Sequence, residues 1–182
     1  ADVAWSILAN KQNHSRGRAS LAQVREVQTP DAHTVVFLLD KPAPYLLTAL
    51  AASETPIVPR HVYEGKDVAS NPNNSAPIGT GPFKFVSWAK GSQVELAKNP
   101  DYWDKAGTAK LEKVTFRFIA DAQAQAAALK SGDLDAFPEF AAPELMASFE
   151  GDSKLTTVIG NTELKVVAGM NNAKKPFDDK RV

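Results

Sequence analysis

Gly79-Thr80-Gly81 comes nearer than any other segment of this 182-residue chain to a phosphate cradle. A nucleotide loop ends in Gly-Lys-Ser/Thr, and a dinucleotide fingerprint spaces three glycines between a strand and a helix. Neither pattern is present, and Pro82 removes one of the amides such a loop would use. His14, His33 and His61 are far apart in sequence and have no ligand-spaced partners, so they spell no zinc site. Carboxylates pair at Asp133/Asp135 and Asp178-Asp179, but no base or nucleophile lies beside them to complete an acid–base site. No serine sits in a Gly-x-Ser-x-Gly elbow. The residues therefore define no catalytic group, no metal site and no cofactor site.

The same glycines belong to a more informative stretch. Residues 76–103 read Ala-Pro-Ile-Gly-Thr-Gly-Pro-Phe-Lys-Phe-Val-Ser-Trp, turn at Lys90-Gly91, return through Val94-Glu95-Leu96 and end in Asn99-Pro100-Asp101-Tyr102-Trp103. Pro77 and Pro82 stiffen either side of Gly79 and Gly81, which fixes a backbone path and supplies no reactive group. Gly79, Gly81, Trp88, Tyr102 and Trp103 are assigned a structural role: a rigid turn feeding a hairpin whose rings cover a sheet.

Composition sets the outer limits. A hydrophobic fraction of 43% is enough for a core, and the length permits one domain or two small lobes. The 21 basic and 21 acidic residues cancel and are interspersed, which leaves no footprint for nucleic acid. Cysteine is absent, so disulfides and thiolate ligation are excluded, although that alone places the chain in no compartment. No apolar run approaches the length of a membrane span, and these residues include no signal peptide: either there was none or the chain starts beyond it. Both ends read as cut from a longer parent.

Several elements can be placed. Asp2 is a candidate N-cap for a helix over residues 3–11, and residues 13–20 are polar and basic and read as a loop. Val24 to Gln28 and Thr34 to Leu39 form a hairpin around Pro30-Asp31. Short helices are expected at Tyr45 to Ala52 and Arg60 to Tyr63, then a polar loop from Gly65 to Ala76. In the next hairpin simple alternation sends Phe83, Phe85 and Ser87 to one face and Lys84, Val86 and Trp88 to the other. Val114 to Ile119 is another strand, and Asp121 caps an alanine-rich helix stopped at Ser131-Gly132. Asp135 to Phe137, Leu155 to Ile159 and Leu164 to Met170 read as strands, with a helix from Pro143 to about Phe149. This mixture is α/β or α+β with a mixed sheet.

An ordered set of runs carries a resemblance. They are Ala1-Asp-Val3, Asp31-Ala-His-Thr-Val-Val-Phe-Leu-Leu39 with Pro42-Ala-Pro44, and Asn74-Ser-Ala-Pro-Ile-Gly-Thr-Gly-Pro-Phe83. Asn99-Pro-Asp-Tyr-Trp103, Ala127-Ala-Leu-Lys-Ser-Gly-Asp-Leu-Asp135 and Asn171-Asn172 leading to Pro176-Phe-Asp-Asp-Lys-Arg-Val182 complete the set. The sequence resembles the dipeptide, oligopeptide and nickel class (family 5) of solute-binding proteins that serve ABC importers. The resemblance implies an α/β, mixed-sheet fragment of a periplasmic binding protein-like fold, type II, peptide-binding class. Residues 1–77 would be an accessory subdomain of the first lobe and residues 78–182 part of that lobe proper, with the second lobe absent.

Further expectations come from the resemblance alone. It implies a non-enzymatic monomer that captures peptides outside the cytoplasmic membrane, in the periplasm or as an anchored lipoprotein, and delivers them to the ABC permease membrane subunits. Ligand-facing edges would fall at Phe137, Glu139 and Phe140 and at Val166 and Val167. Core packing is the slightly stronger reading for the two phenylalanines, and surface solvation is an equal one for Glu139. Some relatives carry tyrosines on the second edge, whereas this chain has none after Tyr102. A nickel chelate, haem or an oligosaccharide therefore stays open as the solute, as does a structural or interaction domain without transport.

Overall fold

The computed structural model describes every residue except 52, 53, 139, 141, 161–169, 180 and 182. It divides into two compact units, Ala1–Ile119 and Ala120–Val182. Among the described residues the first holds two antiparallel sheets and the second only helical elements, an α/β chain as the sequence indicates.

The first unit opens with α1 (Asp2–Asn13), which carries two working stripes. Val3 and Ile7, four residues apart, face the core. Asp2, Ser6 and Asn10, also at four-residue spacing, bind the chain that passes alongside. The Asp2 carboxylate accepts from the Arg60 amide at 2.9 Å, and Asn10 Nδ2 donates to the Glu54 carbonyl at 3.1 Å. Ser6 Oγ donates to the Val58 carbonyl at 3.1 Å and accepts from the Val58 amide at 3.0 Å. The sequence puts Asp2 at the N-cap of its own helix. In the structure Ala1 holds that position, and Asp2 serves Arg60, the first residue of α4 (Arg60–Tyr63).

The stretch read as a loop contains a helix, α2 (Ser15–Ser20). Two local features overcome its polar composition. His14 Nδ1 accepts from the Gly17 amide at 3.3 Å, capping the helix start. Gly17 also lets α2 close onto α1: a Cβ there would stand 2.2 Å from Asn10 Oδ1 and 2.4 Å from the Asn10 carbonyl oxygen.

β1 (Val24–Gln28) and β2 (Val36–Leu39) pair antiparallel, with Val24 opposite Leu39 and Val27 opposite Phe37. Asp31 forms their turn by accepting from the amides of His33 and Thr34 at 2.7 and 2.8 Å. Those bonds to its charged form hold the Asp31 carboxyl below its ordinary pKa. Ile7, Leu21, Val24 and Leu46 are buried together, fringed by Val3, Val27, Phe37 and Leu39. Each such aliphatic side chain contributes roughly 1.5–3 kcal/mol by leaving water. α3 (Leu46–Ala49) is shorter than its expected span, and the loop of residues 65–76 holds a 3₁₀ turn at Pro72–Ser75.

The second sheet has the order β3 (Phe83–Ala89), β4 (Gln93–Lys98), β5 (Lys113–Arg117), all antiparallel. Simple alternation fails in β3. Phe85 lies opposite Leu96 but Ser87 lies opposite Glu95, so Val86 is an extra residue in a β-bulge. The bulge resets the alternation and returns Trp88, opposite Val94, to the side of Phe83 and Phe85. One face then reads Phe83, Phe85, Trp88, Val94, Leu96, Val114 and Phe116, with Lys98 opposite Phe83 and paired to Glu112 at 2.8 Å, and the reverse reads Lys84, Ser87, Glu95, Ala97, Lys113 and Thr115.

In the second unit α5 (Ala122–Ser131) starts where Asp121 accepts from the Ala124 amide at 2.7 Å. It stops at Gly132, whose φ of 82° is a left-handed conformation open to glycine. The helix expected from Pro143 is a 3₁₀ helix, Pro143–Phe149. Asp135 to Phe137 and Leu155 to Ile159, read as strands, have no strand partner among the described residues. β-branched residues favour extended chain, but a strand also needs a ladder, and the described residues of this unit hold none. Residues 164–169 lie outside the described ones, and Met170 is not in a strand.

Candidate functional site

The Gly-Thr-Gly-Pro-Phe run and the Asn-Pro-Asp-Tyr-Trp run are two sides of one corner, and Asn99 joins them. Its side chain is buried. Nδ2 donates to the Gly81 carbonyl at 2.9 Å, Oδ1 accepts from the Asp101 amide at 3.1 Å, and its own amide donates to the Pro82 carbonyl at 2.9 Å. Lys84 and Asp101 add an ion pair at 2.9 Å, which holds the Asp101 carboxyl below its ordinary value of 3.8. Gly79 and Gly81 are not in the left-handed region. A Cβ on Gly79 would meet nothing within 4 Å, and one on Gly81 only the Phe83 carbonyl oxygen at 4.0 Å. The corner is thus held by Asn99 and by proline stiffness, without backbone strain at either glycine.

The flanking aromatics differ in exposure. Trp88 lies on the apolar sheet face with Lys90 Nζ 5.6 Å from its ring centroid. Tyr102 and Trp103 pack at 5.7 Å with planes tilted by 56°, yet Trp103 is 76% exposed.

Of the ligand-facing candidates, the structure brings Phe137 and Phe140 together. Their centroids are 6.0 Å apart and their rings nearly perpendicular at 87°. Phe140 also meets Phe149 edge-on at 5.4 Å, and Lys130 Nζ stands 5.5 Å from the Phe149 centroid. Phe149 is buried, whereas Phe137 and Phe140 are half-buried. Such a cluster anchors its loop through Phe149 and still presents two ring surfaces to an apolar group. Glu139, Val166 and Val167 lie outside the described residues. The described residues contain no group of three or more His, Cys, Asp or Glu placed to hold a metal. His14 caps a helix and His33 contributes its amide to a turn.

The sequence reading passes over a cleft of about 330 Å³ beside α1. Trp5 and Tyr63 form its aromatic wall, with centroids 6.2 Å apart and planes at 38°. Ala9, Pro56 and Val58 extend the apolar lining, and Asn13, His14, Glu54 and Asn74 contribute polar lining. The available signal was Trp5, Ala9 and Asn13 at four-residue spacing on one helix face. Asn10 Oδ1 is buried there without a hydrogen-bond partner among the described residues and abuts Gly17.

These elements define a mixed α/β segment of the periplasmic binding protein-like architecture. NikZ of Campylobacter jejuni, solved with Ni(L-His), matches it with a TM-score of 0.74 and 32% identity, over 84% of this chain and 30% of that one. The chain belongs to the bacterial extracellular solute-binding proteins, family 5, whose middle region it matches over residues 1–182. A Brucella ovis protein is 31% identical over 186 residues, covering all of this chain and 34% of that protein. The oligopeptide-binding protein AppA of Bacillus subtilis is 28% identical over 183 residues, 98% of this chain and 33% of AppA. The chain therefore spans about a third of the length of these relatives.

Proposed function

We propose that the protein containing these residues is the solute-binding component of an ABC importer. It captures peptides outside the cytoplasmic membrane and passes them to the permease subunits. The observation that carries this reading is family membership across all 182 residues, together with a relative named as an oligopeptide-binding protein. Its work is binding and release, with no covalent step. The place of action is the periplasm, or the outer surface of the membrane when a lipid anchor tethers the protein. No helix among the described residues is long and apolar enough to cross a membrane.

In this reading residues 1–77 are an accessory subdomain and residues 78–182 part of the first lobe. The element pairs in closest contact support that boundary, because each falls within residues 2–63 or within residues 83–117. Phe137 and Phe140 offer ring surfaces to solute side chains, Glu139 a charge or acceptor, and Val166 and Val167 an apolar strand edge. Affinity then arises when closing lobes exclude water and strand edges satisfy the solute's amides. The protein acts as a monomer.

A nickel chelate is the second reading, favoured by the match to NikZ in its complex with Ni(L-His) and by the lack of tyrosine after Tyr102. The test is to purify the intact gene product without refolding, denature it, and identify what it releases by mass spectrometry. Short peptides of varied sequence are the expected result. A single metal chelate or sugar would overturn the peptide reading.

A further inference from the structure

The cleft beside α1 is built by the first unit alone, from residues between Trp5 and Asn74. Its volume of about 330 Å³ is within the usual range for a small-molecule site, roughly 300–1,000 Å³. Its polar groups can each be accounted for. Ser6 and Asn10 Nδ2 are committed to the backbone of Val58 and Glu54, and Asn10 Oδ1 faces Gly17. The Glu54 carboxylate pairs with Arg16 at 2.7 Å, so the lining carries no uncompensated charge. Asn13 Nδ2 donates to the Ala9 carbonyl at 2.9 Å, and Asn74 Nδ2 donates to the Val68 and Ala69 carbonyls at 2.8 and 3.1 Å. Those bonds fix the orientation of both amides and leave each Oδ1 to accept. His14 Nδ1 accepts from the Gly17 amide, which places the hydrogen of the neutral ring on Nε2 as a donor.

We infer that this cleft is a ligand site in its own right, for an uncharged aromatic side chain flanked by peptide amides, as an interior residue of a peptide presents it. Three features select that chemistry. Trp5 and Tyr63, with Ala9, Pro56 and Val58, offer aromatic and apolar surface to a ring. A lining without net charge disfavours a charged ligand, because nothing in it would offset the lost hydration. Two acceptors and a donor match the N–H and C=O groups on either side of a peptide residue, whereas a free amino acid brings an ammonium and a carboxylate. An adjoining cleft of about 460 Å³ shares Trp5, Ala9, Asn13 and Tyr63 and gives the peptide chain a way out. The inference is independent of which solute the lobes close over.

The experiment follows the intact gene product by fluorine NMR after incorporation of 5-fluorotryptophan, with the Trp5 signal assigned through Trp5→Phe. The probe is N-acetylphenylalaninamide. Saturable movement of the Trp5 signal is expected, with a Kd of about 1 mM or tighter for a ligand of this size. N-acetylalaninamide, which lacks the ring, and zwitterionic phenylalanine, which carries both charges, should each bind at least about 10-fold more weakly, since one loses the apolar contact and the other must shed hydration. Ala9→Phe, which fills the cleft, should weaken the probe by a similar factor. A Trp5 signal that stays fixed up to the solubility limit of the probe would overturn the inference, as it would if other parts of the protein fill the cleft. So would equal binding of the three small molecules, or a response that Phe137→Ala abolishes and Ala9→Phe leaves intact. The comparison of small molecules needs no variant, so a poorly folded Ala9→Phe leaves the test decisive.

Discussion

Asn99 shows how little of a motif's meaning lies in its most visible residues. The glycines of Gly-Thr-Gly-Pro-Phe draw the eye, yet their conformations are open to other residues, and the buried amide 18 residues along holds the corner. Asn99→Ala should lower stability by about 1–3 kcal/mol, because the Gly81 carbonyl and the Asp101 amide lose their buried side-chain partner. Gly79→Ala should leave the urea midpoint close to the parent's, since a Cβ there meets open space. Urea melts of the two variants check both expectations. Gly17 is the glycine that matters. Alanine is the better helix former by about 1 kcal/mol in an open position, but here its Cβ would fall 2.4 Å from the Asn10 carbonyl oxygen. Backbone must move to make room, so Gly17→Ala should destabilise by about 1–3 kcal/mol. A rise in the urea midpoint would show that α2 shifts off α1 without cost. Sequence could not have ranked these glycines, because the difference lies in a neighbour brought in by tertiary packing.

Helices and strands with strong local signals were legible in the chain. Asp121 caps α5 and Gly132 ends it as read, and the β1–β2 hairpin turns where Pro30-Asp31 marks it. What escaped depended on contacts. The helix at residues 15–20 leans on His14 and on the fit of Gly17 against α1, neither of which composition records. The bulge at Val86 is invisible to alternation and decides which face Trp88 joins. Residues 155–159 carry strand-forming side chains, but the described residues supply no ladder for them. The α5 cap offers a clean test at this scale. Asp121→Ala should cost about 1 kcal/mol and raise amide exchange in the first turn of α5, while Asp121→Ser retains most of the protection. Unchanged exchange at residues 122–125 in the alanine variant would show that the cap contributes nothing.

At the scale of the whole molecule, the candidate site was only partly legible. Phe137 and Phe140 meet in one cluster, but Phe149, which anchors them, is distant enough in sequence that no local pattern announces it. The cleft at Trp5 and Tyr63 unites residues 58 apart and has the same cause. Peptide capture by the intact protein is the central claim, and closure of two lobes should dominate its affinity. Calorimetric titration of the intact gene product with a pool of short peptides, run beside nickel with L-histidine, tests it most directly. Saturable peptide binding is expected, and the isolated 182-residue chain should show it at least about 100-fold more weakly, a loss of roughly 2.8 kcal/mol. Heat from nickel–histidine alone, or equal peptide affinity in the 182-residue chain, would contradict it.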